Sequence, residues 1–281
     1  MRLVRYGKSG EEQAGVLGSD GRLRSLSPLI RDWSAEHLSP RWLAALGTID
    51  IERLPVVEGT PRLGPPICDF RQILAIGLNY TDHAEEAGMA LPPFPMLFQK
   101  GIGSLAGAND DILLARGSSS LDWEVELAVV ICKRGRHIRA ADVGGHIGGY
   151  CLSNDLSERD WQMNLGGQVG KGKSYDSFTP VGPWLLTADE MPDPQALRIW
   201  LSVNGTIRQD ASTASMVFNV ARIIEHVSQY QTLMPGDLVL TGTPAGVGFG
   251  MKPKTFLAEG DRVVCGIDGL GEQAHRVVAE N

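Results

Sequence analysis

The most informative stretch of the chain is DWEVELAVVI, residues 122–131, in which alternating acids run directly into a continuous apolar segment. In a β-strand, Asp122, Glu124 and Glu126 would point to one face and the intervening apolar residues to the other. The uninterrupted apolar residues that follow indicate that the strand enters a core. We therefore expect a strand over residues 123–132 with a group of carboxylates at one end.

Such a group of carboxylates needs compensation, because acids beside a core repel one another and lose hydration. A bound divalent metal is one solution, and all-oxygen ligands favour Mg²⁺, Mn²⁺ or Ca²⁺ over zinc. A polar strand face that meets Arg or Lys residues is the other, and spacing alone does not separate the two. Asp155 follows a second predicted strand, where it is either a helix N-cap or a third oxygen ligand beside Glu124 and Glu126.

A second segment with chemical potential is GLNYTDHAEE, residues 77–86, which follows a predicted strand over 73–76. If residues 81–87 are helical, His83 and Glu86 lie on the same face. A carboxylate beside a histidine raises its basicity and fixes its tautomer, as a water-activating base requires. The same spacing is also typical of an ordinary ion pair on a surface helix, so both interpretations stay open.

Composition excludes several classes of protein. The chain has 281 residues and a net charge of −7, which gives no electrostatic footprint for nucleic acid or an anionic membrane. No stretch reaches the roughly 18 apolar residues of a membrane span, and the start lacks the apolar region of a secretory signal. The 4 cysteines form no metal-binding spacing and suit a reducing, cytoplasmic location.

The pattern of turns and apolar runs predicts a mixed, β-rich α/β fold with few helices. Short alternating segments open the chain, and a Pro- and Gly-rich stretch over 54–66 suits a linker. We therefore predict a small amino-terminal β-rich domain over 1–65 and a catalytic domain over 66–281. Apolar residues at helical spacing predict a helix over 215–228.

Two familiar motifs match by letter and are rejected by context. Residues 167–174, GQVGKGKS, satisfy the phosphate-loop pattern, but no apolar strand precedes them and prolines follow. Residues 269–274, GLGEQA, match a dinucleotide-binding fingerprint, yet too little chain remains for a βαβ unit. Neither motif predicts a nucleotide site.

Taken together, the motifs resemble the fumarylacetoacetate hydrolase family. The resemblance rests on seven blocks in family order, which are spread over nearly all of residues 70–271: GLNYTDHAEE (77–86), DWEVELAVVI (122–131), GYCLSNDLSERDWQ (149–162), GKSYDSFTPVGPW (172–184), VNGTIRQ (203–209), LMPGDLVLTGTPAGVGFG (233–250) and EGDRVVCGIDGLG (259–271). The chain looks most similar to a bacterial branch that includes acylpyruvate and 2,4-diketo-3-deoxy-sugar-acid hydrolases. The resemblance implies the β roll of that family, a homodimer, and a loosely similar small amino-terminal domain.

The resemblance also implies roles for individual residues. The implied metal ligands for Mg²⁺ or Mn²⁺, with Ca²⁺ as a substitute in crystals, are Glu124, Glu126 and Asp155. The implied catalytic residues are His83 and Glu86, which activate water, and Lys173, which stabilises an enolate. The implied contacts to substrate carboxylate or oxo groups are Tyr80, Arg159, Gln162 and Thr243.

These roles predict a metal-dependent hydrolase that cleaves a C–C bond in a 2,4-diketo acid through a metal-bound enolate. The expected substrate is a small 2-oxo or 2,4-diketo acid of the acylpyruvate or deoxy-sugar-acid type. Decarboxylation of oxaloacetate or isomerisation of a muconate-type acid uses the same enolate chemistry without an attacking water, and both remain alternatives. A non-catalytic metal-binding member of the family is a further alternative, although no implied functional position is replaced.

Overall fold

A computed structural model describes residues 1–280 and contains three β-sheets and five short α-helices. Twelve strands form the large sheet: β1 (Arg2–Tyr6), β2 (Gln13–Leu17), β3 (Leu23–Ser25), β4 (Leu63–Gly64), β5 (Ile73–Gly77), β6 (Met96–Lys100), β7 (Leu105–Gly107), β10 (Val125–Ile131), β11 (Ile147–Asn154), β13 (Thr179–Val181), β14 (Leu185–Thr187) and β17 (Leu238–Leu240). The second sheet consists of β9 (Leu121–Asp122) and β12 (Ser157–Glu158). The third consists of β8 (Ile112–Leu114), β15 (Arg198–Val203), β16 (Thr206–Ser212), β18 (Arg262–Ile267) and β19 (Gly271–Ala279).

The α-helices are α1 (Pro40–Leu46), α2 (Thr81–Glu86), α3 (Arg159–Met163), α4 (Val169–Lys173) and α5 (Val220–Tyr230). Short 3₁₀ segments occupy Ala35–Leu38, Ile51–Arg53, Ile102–Ser104, Ala140–His146, Ala188–Glu190, Thr213–Ser215 and Gly248–Gly250. The predicted mixed, β-rich α/β class is confirmed. Within residues 1–280 there is no helix with the length and apolarity that crossing a bilayer requires.

Strand β10 lies near the middle of the large sheet, between β11 and β17. It separates two groups of buried apolar side chains. Its odd-numbered residues, such as Val125 and Leu127, pack in one core, and Ala128 and Val130 pack in the other. This two-sided burial explains the continuous apolar run in the sequence, because each face of the strand meets its own core.

The predicted strand over 123–132 begins later than expected. The ladder of β10 starts at Val125, two residues later than predicted, and the two residues before the predicted start, Leu121–Asp122, form the separate strand β9, which pairs with β12. Between the two, the backbone N–H of Glu124 donates to the side chain of Asn154 at 2.9 Å and the N–H of Asp155 donates to the carbonyl of Glu124 at 2.7 Å. These contacts replace the regular ladder and bring the ends of β10 and β11 together.

The amino-terminal segment joins the body of the molecule through the large sheet. Strand β1 pairs with β14, with Arg2 opposite Leu186 and Leu3 opposite Leu185. Leu3 and other residues before 65 share a buried cluster with Ala128 of β10. The segment is therefore continuous with the body in both pairing and packing, and the division at residue 65 stays a prediction.

The helix predicted over 215–228 is observed as α5, which begins five residues later. Residues Thr213–Ser215 form a 3₁₀ turn, and the Asn219 side chain caps α5 by accepting from the N–H of Arg222 at 2.9 Å. The helix predicted over 81–87 is confirmed as α2. In the motif that resembles a phosphate loop, residues 169–173 form the short helix α4 and follow α3, so the strand–loop–helix context is absent.

Candidate metal centre and active-site cavity

Three buried carboxylates meet where β10 and β11 end. Glu124 precedes β10, Glu126 lies in it, and Asp155 follows β11. One carboxylate oxygen from each of the three lies within 4.8 Å of the others. Antiparallel pairing explains the convergence, because Glu126 lies opposite Ser153, two residues before Asp155. The three predicted metal ligands are therefore brought together.

Two lysines contact this cluster. The Lys173 ammonium donates to Glu124 at 2.7 Å and to Asp155 at 2.6 Å. Burial alone would lower the pKa of Lys173, but the charges of Asp155 and Glu124 raise it, so the ammonium stays charged. Lys100 donates to the other oxygen of Asp155 and, at 2.7 Å, to the carbonyl of Phe178.

Lys100 is absent from the set of residues predicted from the sequence. A signal was nevertheless present, because residues 96–100 read MLFQK and form a strand. In a strand, Met96, Phe98 and Lys100 share one face. A lysine on a face that otherwise carries apolar side chains requires an acidic partner, and Asp155 supplies it.

Arg159 joins the cluster to a fourth acid, Asp122. Its guanidinium lies 2.8 Å from an oxygen of Asp122 and 2.7 Å from an oxygen of Glu124. Asp122 also accepts the backbone N–H groups of Gly248 at 2.7 Å and Phe249 at 3.0 Å. Asp122 thus fixes both Arg159 and the glycine-rich loop over residues 242–250.

Glu126 is the acid that these cations leave uncompensated. Its carboxylate accepts the N–H of Gly242 at 2.7 Å, and no ion pair to it occurs among residues 1–280. Burial, followed by the charges of Asp155 and Glu124, raises the pKa of Glu126 well above its ordinary value. The predicted compensation by Arg and Lys is thus real but incomplete.

The residues present fit a hard divalent cation. All three converging donors are carboxylate oxygens, the type that Mg²⁺ and Mn²⁺ prefer. Four carboxylates face three cations, so within residues 1–280 Glu126 is left without a cationic partner in a buried place. The buried hydroxyl of Tyr80, whose pKa burial and then Glu126 raise, also has no hydrogen-bond partner in the described chain.

His83 and Glu86 lie on one face of α2, as predicted. The Nδ1 atom of His83 is buried, has no hydrogen-bond partner among the described residues, and lies 3.7 Å from a carboxylate oxygen of Glu86. Glu86 is anchored from the other side by the N–H of Gly246, at 3.0 and 3.1 Å from its two oxygens. Because His83 is buried, the interpretation as a surface ion pair does not apply.

A cavity of about 330 Å³ connects these groups, at the lower end of the ~300–1,000 Å³ of small-molecule sites. The predicted residues that line it are His83, Glu124, Glu126, Arg159, Gln162, Lys173 and Thr243. Tyr80 is fully buried and lies outside the lining, near enough to Glu126 for that acid to raise the pKa of its hydroxyl. Asp155 and Glu86 also lie outside it and contact Lys173 and Gly246.

Fold and site together define a class of protein: a β-rich α/β domain in which a buried carboxylate cluster that could bind a divalent cation adjoins a cavity of small-molecule size. Residues 72–278 match the model of the fumarylacetoacetate hydrolase carboxy-terminal domain. The chain belongs to the fumarylacetoacetate hydrolase family, whose members are typically metal-dependent enzymes.

Similar proteins agree with this assignment. A Burkholderia lata protein that carries the provisional name hydrolase is 50% identical over 277 residues, which are 97% of each chain. The structure of a fumarylacetoacetate hydrolase from Exiguobacterium antarcticum is 34% identical, with a TM-score of 0.87 and 100% of both chains covered. A Mycobacterium abscessus structure named as a 2-hydroxyhepta-2,4-diene-1,7-dioate isomerase is 33% identical, with a TM-score of 0.84 and 100% of both chains covered. Hydrolases and isomerases therefore share this fold.

Proposed function

We propose that the protein is a divalent-metal-dependent hydrolase that cleaves a C–C bond in a 2,4-diketo acid, of the acylpyruvate or 2,4-diketo-3-deoxy-sugar-acid type. The observation that carries the proposal is the position of His83. Its imidazole lines the same cavity as the acid cluster and Lys173, and its buried Nδ1 faces Glu86. A base beside a cation site is what addition of water to a carbonyl requires.

Glu124, Glu126 and Asp155 would hold the ion, which we propose to be Mg²⁺ or Mn²⁺. When bound, it would supply a Lewis acid for the carboxylate and 2-oxo oxygens of the substrate. Arg159, Gln162 and Thr243 line the cavity and would orient those same groups. Tyr80 would act through Glu126 and not by direct contact with the substrate, since its side chain is fully buried.

His83 would remove a proton from water as the oxygen attacks the C4 carbonyl of the substrate. Glu86, held by Gly246, would stabilise the resulting imidazolium. The C3–C4 bond then breaks, its electron pair passes to C3 and the adjacent oxo group, and the acyl fragment leaves as a carboxylic acid. Lys173 would stabilise the developing negative charge with its ammonium, and a proton delivered to C3 gives the 2-oxo acid product.

The experiment is an assay of carboxylic acid and pyruvate release from a 2,4-diketo acid by protein loaded with Mg²⁺ or Mn²⁺. Activity should vanish when the metal is removed with EDTA and return when it is added back. His83→Asn should lower kcat by about 10²–10⁴-fold while metal affinity, measured by calorimetry, stays unchanged. Equal activity with and without chelator would refute the proposal.

Isomerisation or decarboxylation is the second candidate, favoured by the isomerase name of one similar structure. Both reactions need enolate stabilisation and no attacking water. His83→Asn separates the candidates, because loss of the water-activating base should abolish C–C hydrolysis and spare decarboxylation of oxaloacetate. An enzyme that retains isomerase or decarboxylase turnover in this variant, and shows no hydrolysis in the wild type, would support the second candidate.

We also propose a homodimer located in the cytoplasm. The four cysteines, Cys68, Cys132, Cys151 and Cys265, are all free thiols, which suits a reducing compartment. The dimer follows from the family resemblance. Light scattering coupled to size exclusion measures it directly, and a mass of one chain at micromolar concentration would refute it.

A further inference from the structure

One wall of the cavity changes from charged to apolar along strand β6. Lys100, Phe98 and Met96 share a face of this strand. Lys100 binds Asp155 in the acid cluster, Phe98 places its ring centroid 5.3 Å from the Lys173 ammonium, and Met96 lies at the rim with 39% of its surface exposed. At a rise of about 3.3 Å per residue, the Cα atoms of Met96 and Lys100 are about 13 Å apart.

Other parts of the cavity lining are also apolar. Helices α3 and α4, the segment after α2 and the glycine-rich loop contribute the following lining residues: Met89, Met163, Val169, Val247 and Phe249. Polar lining side chains belong to the charged end of the cavity or adjoin it. A substrate tail that extends away from the acids therefore meets apolar side chains.

The cavity offers no free cation to a second substrate carboxylate. Among the described residues that line it, Arg159 and Lys173 are the Arg and Lys side chains, and both are already paired with acids of the cluster. Lys254 lies 3.6 Å from the centroid of the Phe249 ring but outside the lining. A terminal carboxylate would lose hydration there without gaining a partner.

We propose that the substrate is a monocarboxylic 2,4-diketo acid whose 4-acyl group carries an apolar tail, in preference to a dicarboxylic or polyhydroxylated acid. This inference rests on the proposed function and selects among its substrate classes. The carboxylate and 2-oxo group lie at the acid cluster, and the tail lies along Phe98 towards Met96.

The test compares kcat/KM for 2,4-dioxopentanoate, 2,4-dioxoheptanoate and 2,4-dioxononanoate with Mg²⁺ present. Burial of each added methylene should raise kcat/KM by about fourfold until the tail reaches the rim. The matched dicarboxylic acid, 2,4-dioxoheptanedioate, should be at least about tenfold poorer than 2,4-dioxoheptanoate. A polyhydroxylated 2,4-diketo-3-deoxy acid of the same length should also be poorer.

Met96→Arg and the neutral control Met96→Gln make the test specific to charge. The arginine variant should improve the ratio of dicarboxylic to monocarboxylic turnover by about two- to fivefold, and the glutamine variant should not. Because Met96 is partly exposed, both substitutions leave the core intact.

A binding measurement separates failure of the inference from failure of the proposed function. Titration of the Mg²⁺-loaded wild type with the uncleavable 2-oxoheptanoate and 2-oxoheptanedioate should give tighter binding of the monocarboxylate. If no diketo acid is cleaved but this order holds, the proposed reaction is wrong and the apolar tail site stands. If the dicarboxylic acids are cleaved as fast and bound as tightly as the monocarboxylic acids of the same length, the inference is overturned and the proposed hydrolase function stands. If neither turnover nor the binding order is observed, both are overturned.

Discussion

Replacement of Glu126 by Gln should stabilise the metal-free protein and abolish its stabilisation by Mg²⁺ or Mn²⁺. Glu126 is 1% exposed, and burial, Asp155 and Glu124 raise its pKa well above 4.5. Because the folded-state pKa is raised, the contribution of this group to stability is fully present below about pH 4.5 and is lost as the pH rises through the raised pKa. Gln preserves the shape, removes the charge and still accepts the N–H of Gly242.

The size of the change in stability follows from the lack of a cationic partner for Glu126 in the described chain. A buried group without a partner costs roughly 1–3 kcal/mol, and more if it is charged. Each kcal/mol moves the Tm of a chain of this size, 281 residues, by about 2 °C, so metal-free E126Q should melt about 2–6 °C above the wild type at pH 8. Metal at a concentration of 100 times Kd adds about 2.7 kcal/mol to the wild type and should add nothing to E126Q.

Asp122→Asn is the matched control, because it also removes a negative charge from the cluster but should lower the Tm instead of raising it. Arg159 and the N–H groups of Gly248 and Phe249 bind the Asp122 carboxylate, so loss of its charge leaves those donors undersatisfied and should lower the Tm. Calorimetry on EDTA-treated proteins, with and without added metal, measures both variants. The reasoning is refuted if metal-free E126Q melts below the wild type, as D122N should, or if E126Q still gains stability from metal.

Three further substitutions have defined outcomes. Lys100→Met should lower the free energy of unfolding, measured in urea, by about 3 kcal/mol because it breaks a buried ion pair. Lys171→Met, at an exposed lysine, should change the free energy of unfolding by less than about 0.5 kcal/mol, and equal losses in the two variants would contradict this. Gly246→Ala should lower kcat and Tm together, since the residue has a φ of +103° and its N–H holds Glu86; unchanged kcat would contradict it. Glu12→Gln should flatten the loss of stability below about pH 4.5. Burial raises the pKa of Glu12, but hydrogen bonds and the charges of two arginines outweigh burial and lower the pKa overall, so the stabilisation by Glu12 is lost as the pH falls. Identical pH profiles of stability for the variant and the wild type would contradict this.

The parts of the site that the sequence predicts depend on local periodicity. Alternation places Glu124 and Glu126 on one face, and helical spacing places His83 beside Glu86; both relations are observed. They were predictable because the period of a strand or helix acts over a few residues. The continuous apolar run after Glu126 likewise predicts burial on both faces of β10.

Long-range partners were not predictable in this way. Lys100 meets Asp155 across 55 positions, and the N–H of Gly242 meets Glu126 across 116 positions. These pairs depend on the order of strands in the large sheet, which local patterns do not specify. The break between β9 and β10 has the same origin, since Asn154 of a neighbouring strand takes the N–H of Glu124 away from a regular ladder.

The glycine-rich loop over 242–250 holds the two halves of the chemistry at once. Gly242, at a φ of +98°, donates to the acid of the cation site, and Gly246 donates to the partner of the proposed base. A Cβ at Gly250 would lie 2.2 Å from the side chain of Glu86, so a larger residue at this position would displace Glu86. Substitutions in this loop, which forms one wall of the cavity, would therefore be selected against during evolution. Diversification of substrate range within this chain has to proceed elsewhere in the lining, at positions such as Met96 of β6 and Met163 of α3.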